Sequence, residues 1–277
     1  MSKKMAKKKP QIQKITNSEF VKDKSPTVFQ RDKLKHVLNI HERTDYTEKQ
    51  KSFIDLVLDK KSKMIFVTGV SGTSKTHLSV LCGLKMLSAN EHGAGKYSEL
   101  LYIRSAVESS DNKLGYLPGG EDDKMGPYLV PLKEKLAEFL PGHDIQLLEK
   151  DQRIISVPLG FVRGLNWNAK YIIIDESQNC SKRELITLIT RVGEFSKIII
   201  LGDPSQSDIG TKSGFTNIYN MFNDDEAKEN GVFTFEFTEE DIVRSDLVRF
   251  IMKRIKDKST DAINDYVPSK DKTLLKG

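Results

Sequence analysis

Apolar runs rich in β-branched residues recur at positions 64–68, 100–104, 153–157, 171–175, 197–202 and 232–237. Several are continuous rather than alternating, as in strands buried on both faces of a parallel sheet. Between them the apolar positions change to helical spacing, at 47–58, 76–89, 127–140, 182–192 and 247–255. Strands alternating with helices predict an α/β fold, a doubly wound and mostly parallel sheet flanked by helices. The stretch 115–126, rich in Gly, Pro and acids, predicts a long mobile loop. Thr47 and Gln50 fit a capping box at the start of the first helix.

One junction in this pattern carries chemistry. The strand 64–68 runs into Gly69-Val70-Ser71-Gly72-Thr73-Ser74-Lys75-Thr76 and then into a helix. Strand, glycine loop, Lys-Thr and helix is the order of a P-loop, whose backbone N–H groups face nucleotide phosphates. Lys75 would lie against the β- and γ-phosphates, and the Thr76 hydroxyl would ligate Mg2+. Ser74 departs from the pattern G-x-x-x-x-G-K-[ST], which has glycine there. A Cβ where the backbone needs φ > 0 costs ~1–2 kcal/mol, about ten-fold in population of a binding-competent loop.

The strand 171–175 ends in Asp175-Glu176, at the sheet edge where open α/β folds bind ligands. Opposite a P-loop the first acid suits a hydrated Mg2+ and the second an attacking water. The strand 197–202 ends in Asp203-Pro204-Ser205-Gln206; this is a chain-reversing turn that also presents Gln206 to a γ-phosphate. Gln50 has two readings, capping residue or adenine contact. Arg244 and Arg191 are candidates for a phosphoryl-facing arginine, with surface ion pairing as the alternative. For polynucleotide contact the chain offers Arg104-Ser105 and Arg163, with Phe161 and Trp167 as stacking or core aromatics.

Charge divides the chain unevenly. Residues 1–35 hold eleven Lys/Arg against three Asp/Glu, whereas the whole chain has a net charge of +5. The basic arm is therefore either a nucleic-acid-binding tail or a solubilising one. It is followed by no apolar signal core, and no run approaches a membrane span, so a cytoplasmic protein with no membrane partner is expected. Cys82 and Cys180 are isolated and read as buried thiols. The chain divides into the arm (1–35), a catalytic domain (36–257) and a polar tail (258–277).

In order along residues 45–257, GVSGTSKTHL, IRSAVESSDNKLGYLPGG, PLGFVRGLNW, IIIDESQN, TRVGEFSKIIILGDPSQSD, SGF and FTEEDIVRSDLV resemble the PhoH-like ATPases. These are P-loop proteins related to superfamily 1 helicases, and their name refers to phosphate starvation. The resemblance implies a RecA/helicase-like fold and a Mg2+-dependent ATPase acting on single-stranded nucleic acid, RNA first. It assigns ATP to residues 69–76, with Gly69, Gly72, Lys75 and Thr76 foremost, and the metal to Thr76 and Asp175. Glu176 takes the place of the catalytic base, Gln206 of the sensor glutamine, Gln50 of the adenine contact. Arg244 becomes the phosphate-facing arginine, in cis or from a neighbouring subunit. A homo-oligomer is implied, a hexameric ring among its forms, as is a compact member of bacteriophage type lacking a nuclease domain. The competing reading is a non-hydrolysing, nucleotide-gated RNA-binding module in which Ser74 has cost hydrolysis. A small-molecule kinase is a weaker third.

Overall fold

The computed structural model describes residues 33–89, 95–105, 130–162, 167–243, 250 and 254. The six apolar runs are the six strands: β1 (Met64–Thr68), β2 (Glu99–Arg104), β3 (Ile154–Pro158), β4 (Lys170–Asp175), β5 (Lys197–Gly202) and β6 (Val232–Glu236). They form one all-parallel sheet in the order β3-β2-β4-β5-β1-β6. The fold is thus α/β, as the alternation predicts.

Continuous apolar strands are explained by two cores, one on each face of the sheet. Ile65, Val67, Tyr171, Ile173, Ile199 and Leu201 pack on one side. Phe66, Ile172, Ile174, Ile198 and Ile200, alternating with them, pack on the other. The first core is covered by α1 (Glu48–Leu58) and α2 (Lys75–Leu87), together with α3 (130–137) and α4 (Gly142–Lys150). The second lies under α5 (Lys182–Ile189) and α6 (Phe215–Met221). A short helix, α7 (Asp225–Glu229), leads into β6. Burying about ten branched or aromatic strand side chains on both faces supplies the main stabilisation, at roughly 1.5–3 kcal/mol each against exposure.

The helices α4, α6 and α7 have no counterpart among the predicted segments. They are short, and the two last have too few turns for a periodic signal. Conversely, α5 stops at Ile189, three residues before the predicted end. The predicted helix 247–255 is described only at residues 250 and 254, both helical, and the predicted loop 115–126 lies outside the described residues. Both predicted thiols are buried, and burial pushes Cys82 up to about 12 and Cys180 to about 11. Among the described residues no helix is long and apolar enough to cross a membrane.

Candidate nucleotide site

The carboxyl ends of β1, β4 and β5 converge on a cavity of about 580 Å3. Its floor is the loop between β1 and α2. At Gly69 a Cβ would lie 2.8 Å from Phe237 Cβ and 2.8 Å from the Phe237 carbonyl oxygen, so the residue following β6 leaves room only for glycine. Ser74 caps α2 in the left-handed region, φ 68° and ψ 20°, with no side-chain capping bond. The positive φ expected for a P-loop glycine is therefore adopted by serine. Thr73 Oγ1 donates to Val70 O at 2.9 Å and Val243 N to Gly72 O at 3.1 Å, which pins the loop from inside and outside.

Lys75 Nζ donates to Gly69 O (2.6 Å) and Val70 O (2.9 Å). Burial lowers its pKa, and this is opposed by Asp203 first, then Asp175 and Glu176. An ammonium held by two loop carbonyls and faced by three carboxylates is poised to exchange those carbonyls for anionic oxygens. One residue on, Thr76 Oγ1 donates to Asp175 Oδ2 at 3.0 Å, joining the start of α2 to the end of β4. The same carboxylate oxygen accepts from Tyr102 OH at 2.7 Å. Burial, then the Asp175 charge, raises the Tyr102 pKa far above its ordinary value, so the phenol stays a donor.

Glu176 follows in the left-handed region, φ 56°, which turns it out of the strand and into the cavity wall. Its carboxylate accepts from Gln178 Nε2 at 2.7 Å and lies 3.7 Å from Arg104 Nη2. Gln178 is buried, and its Oε1 accepts from Asp203 N at 3.0 Å while its Nε2 reaches Gln206 O at 3.5 Å. One glutamine thus fixes the ends of β4 and β5 relative to each other. Asp203 Oδ1 accepts from Ser205 N and Oγ. Its Oδ2 is buried and has no hydrogen-bond partner among the described residues.

Of the residues expected to hold nucleotide or metal, Ser71, Gly72, Ser74, Lys75, Thr76, Asp175, Glu176 and Gln206 line the one cavity. Gly69 and Val70 support it through their carbonyls. Gln206 sits exposed on the short turn Pro204–Gln206, at the rim. Gln50 is not on the cavity wall: it is 1 % exposed and closes the capping box, Gln50 N to Thr47 Oγ1 and Thr47 N to Gln50 Oε1, both 3.1 Å. Beyond the phosphate loop the wall is instead His41, Arg43, His77, Glu138 and Phe139. His77 bonds Glu138 at 2.7 Å and packs on Phe139, with ring centroids 4.3 Å apart.

The polynucleotide candidates separate. Arg104 is part-exposed beside Glu176, whereas Ser105 is buried and its N–H donates to Asp175 O at 3.1 Å. Trp167 is buried and Phe161 is exposed, so the first is a core anchor and only the second is open to a base. Arg163 and Arg244 lie outside the described residues. Arg191 follows α5, next to Val192 and Gly193 on the opposite edge of the sheet, and so does not face the phosphate loop of its own chain.

Three residues that organise this cavity carry no such role in the sequence pattern: Tyr102 is a strand position, Gln178 part of a motif without a task, and Asp203 a turn former. Only Asp203 carries a local signal, an acid directly after a buried strand.

The donor set suits a hard divalent cation. One hydroxyl and one carboxylate oxygen 3.0 Å apart are what Mg2+ takes from protein when phosphates and water supply the rest. Among the described residues no group of three or more His, Cys, Asp or Glu could hold a metal by itself. Asp203, with its partnerless oxygen, adds a carboxylate to the lining of the same cavity.

Residues 43–256 match a family model described as PhoH-like protein. The chain is 33% identical over 196 residues to a PhoH-like protein of Bacillus subtilis, covering 70% of this chain and 58% of that protein. It is 33% identical over 209 residues to one from Synechocystis, covering 75% and 60%. Protein PhoH2 of Bacillus subtilis is 33% identical over 195 residues, 68% of this chain and 42% of that protein. The chain therefore spans about three-fifths or less of the length of these relatives.

Proposed function

We propose, from the premise that this chain belongs to the PhoH-like family, generally P-loop ATPases, that it binds ATP with Mg2+ in the cavity and hydrolyses it under the control of single-stranded nucleic acid, RNA first. The observation that supports this most is the Thr76–Asp175 contact of 3.0 Å beside Glu176. It brings together the hydroxyl and carboxylate that would hold the metal and the carboxylate that would take a proton.

The loop N–H groups and Lys75 bind the phosphates, and Lys75 balances charge on the β- and γ-oxygens. Bound Mg2+ would neutralise developing phosphate charge, held by Thr76 and Asp175. Glu176 accepts the proton of the attacking water as the new bond to the γ-phosphorus forms and the bond to the bridging oxygen breaks, releasing ADP and phosphate. Gln206, at the rim, orients that water or senses the γ-phosphate. Arg244, one residue beyond the wall residue Val243, supplies further positive charge from its own or a neighbouring subunit of a homo-oligomer. The nucleoside end lies against His41, Arg43 and Phe139 rather than Gln50.

Arg104 provides the route to nucleic acid. At 3.7 Å from Glu176, it holds the base in an ion pair, and a polynucleotide phosphate that engages Arg104 frees that carboxylate for water. The non-hydrolysing alternative draws on the strain at Ser74; against it stands that Lys75, Thr76, Asp175, Glu176 and Gln206 all line the one cavity. In the test, Glu176→Gln keeps ATP binding and loses phosphate release. Equal turnover by Glu176→Gln and wild type would refute the assignment of the base.

A further inference from the structure

A second cavity, of about 1040 Å3, opens on the opposite edge of the sheet, where β1, β2, β4 and β5 begin. Strands of five or six residues at ~3.3 Å each separate it from the nucleotide cavity by about 17–20 Å. Four lysines line it: Lys33, Lys60, Lys63 and Lys96, against a single lining carboxylate, Glu194. Several lysines elsewhere on the molecule are paired, as Lys51 is with Glu48, Lys85 with Glu42 and Lys133 with Glu149. Among the described residues none of these four lysines is in an ion pair. They are close enough to oppose one another: after burial, the Lys60 charge is what most lowers the Lys96 pKa, Asp59 opposes it, and Lys33 adds to the lowering.

An aromatic ring stands on the same wall. Phe195 is 75% exposed and holds φ 60°, a conformation that a bulky residue rarely adopts. Its neighbours keep it there. Ala169 N donates to Glu194 O at 2.9 Å, Glu194 N to Asn168 Oδ1 at 3.0 Å, and Ser196 Oγ to Trp167 O. A Cβ on Gly193 would lie 2.0 Å from Asn168 Oδ1, so this turn is closed tightly on its support. A strained backbone that projects an apolar ring into water, among lysines, is costly unless a ligand uses the ring.

The sequence adds one more observation. Lys33, which lines the cavity, belongs to a basic stretch, with eleven Lys/Arg against three Asp/Glu over residues 1–35. We infer that the lysine-lined cavity at the amino edge of the sheet is a docking surface for single-stranded nucleic acid, with Lys60, Lys63 and Lys96 on phosphates and Phe195 stacking on a base. Charge complementarity alone fits any polyanion. The projecting ring selects a strand with unpaired bases over an acidic peptide, which has nothing to stack there. The inference rests on the nucleic-acid part of the proposed function and deepens it, since it places contacts on the edge remote from hydrolysis.

The test is fluorescence anisotropy of the full chain with a labelled single-stranded oligo-U, titrated at several salt concentrations, and with a polyglutamate peptide as competitor. The variants are Lys60→Glu/Lys63→Glu and Phe195→Gly, the latter compatible with the positive φ. Removing two phosphate contacts should weaken binding at least about ten-fold at low salt and reduce the log–log salt slope by about 1.4. Phe195→Gly should weaken binding about five-fold or more with the slope unchanged, as lost stacking predicts. ATP binding by both variants should equal wild type. Wild-type binding with neither variant affected would overturn the docking surface and leave the proposed function standing. No binding by wild type would overturn both. Displacement by polyglutamate at lower concentration than by unlabelled oligo-U would assign the surface to an acidic protein instead.

Discussion

Replacing Ser74 by glycine separates two effects that the sequence alone combines. A serine in the left-handed region costs ~1–2 kcal/mol relative to an unstrained residue. Because the fold itself holds Ser74 at φ 68° and ψ 20°, as the cap of α2 with Leu78 N donating to Ser74 O and Val243 N to Gly72 O, that cost falls on folding and not on nucleotide binding. Ser74 makes no side-chain capping bond that the substitution would remove. Against the relief stands the added freedom of glycine in the unfolded chain, ~0.4–1 kcal/mol. The net expectation for Ser74→Gly is a stabilisation of about 0.5–1 kcal/mol, a rise in Tm of roughly 1–4 °C for a domain of this size. Nucleotide affinity should change by less than about three-fold. Calorimetric melting and titration with a non-hydrolysable ATP analogue on the same samples would check both. An unchanged Tm with ten-fold tighter nucleotide binding would refute the reasoning, because it would mean that ligand, not folding, forces the loop into shape.

Lys75→Ala removes the ammonium held by Gly69 O and Val70 O, and should weaken ATP binding by about 10–100-fold in equilibrium titration, as for a hydrogen bond to a charged group worth ~1.5–3 kcal/mol. Gln178→Ala unties Glu176 from Asp203 and leaves the Asp203 N–H unpaired. It should cost about 1–3 kcal/mol of stability in urea denaturation and lower turnover more than ATP affinity. Lys197 is buried, donates to Val57 O, Asp59 O and Ser62 Oγ at the end of α1, and is lowered by burial to about 7. Between about pH 7 and the ordinary lysine range the unfolded chain binds a proton that the folded chain does not. Wild-type stability relative to Lys197→Met should therefore rise with pH above about 7, measured as the gap between urea midpoints at about pH 7 and about pH 9.

The parts of this molecule that were legible in sequence are those encoded locally. The central strands follow from apolar runs because they are buried on both faces, the half-buried edge strands β3 and β6 keep enough apolar residues to follow too, and the β1–loop–α2 junction follows from contiguous residues. The Thr47–Gln50 capping box is likewise a four-residue pattern, and the structure uses it as such. What was not legible depends on strand order. Placing β5 between β4 and β1 brings Gln178, after β4, onto Asp203, after β5, and pairing β2 with β4 brings Tyr102 onto Asp175. No spacing along the chain encodes those meetings. The lysine cavity was hidden for the same reason, since its residues come from four separate strand starts.

The most direct test of the central claim is phosphate release by the purified chain with Mg2+ and ATP, with and without single-stranded RNA, run beside Glu176→Gln and an ATP-binding titration. The account predicts wild-type turnover that RNA increases, with Glu176→Gln binding ATP and releasing no phosphate. Wild-type protein that is folded and binds ATP, yet releases no phosphate under either condition, would contradict it.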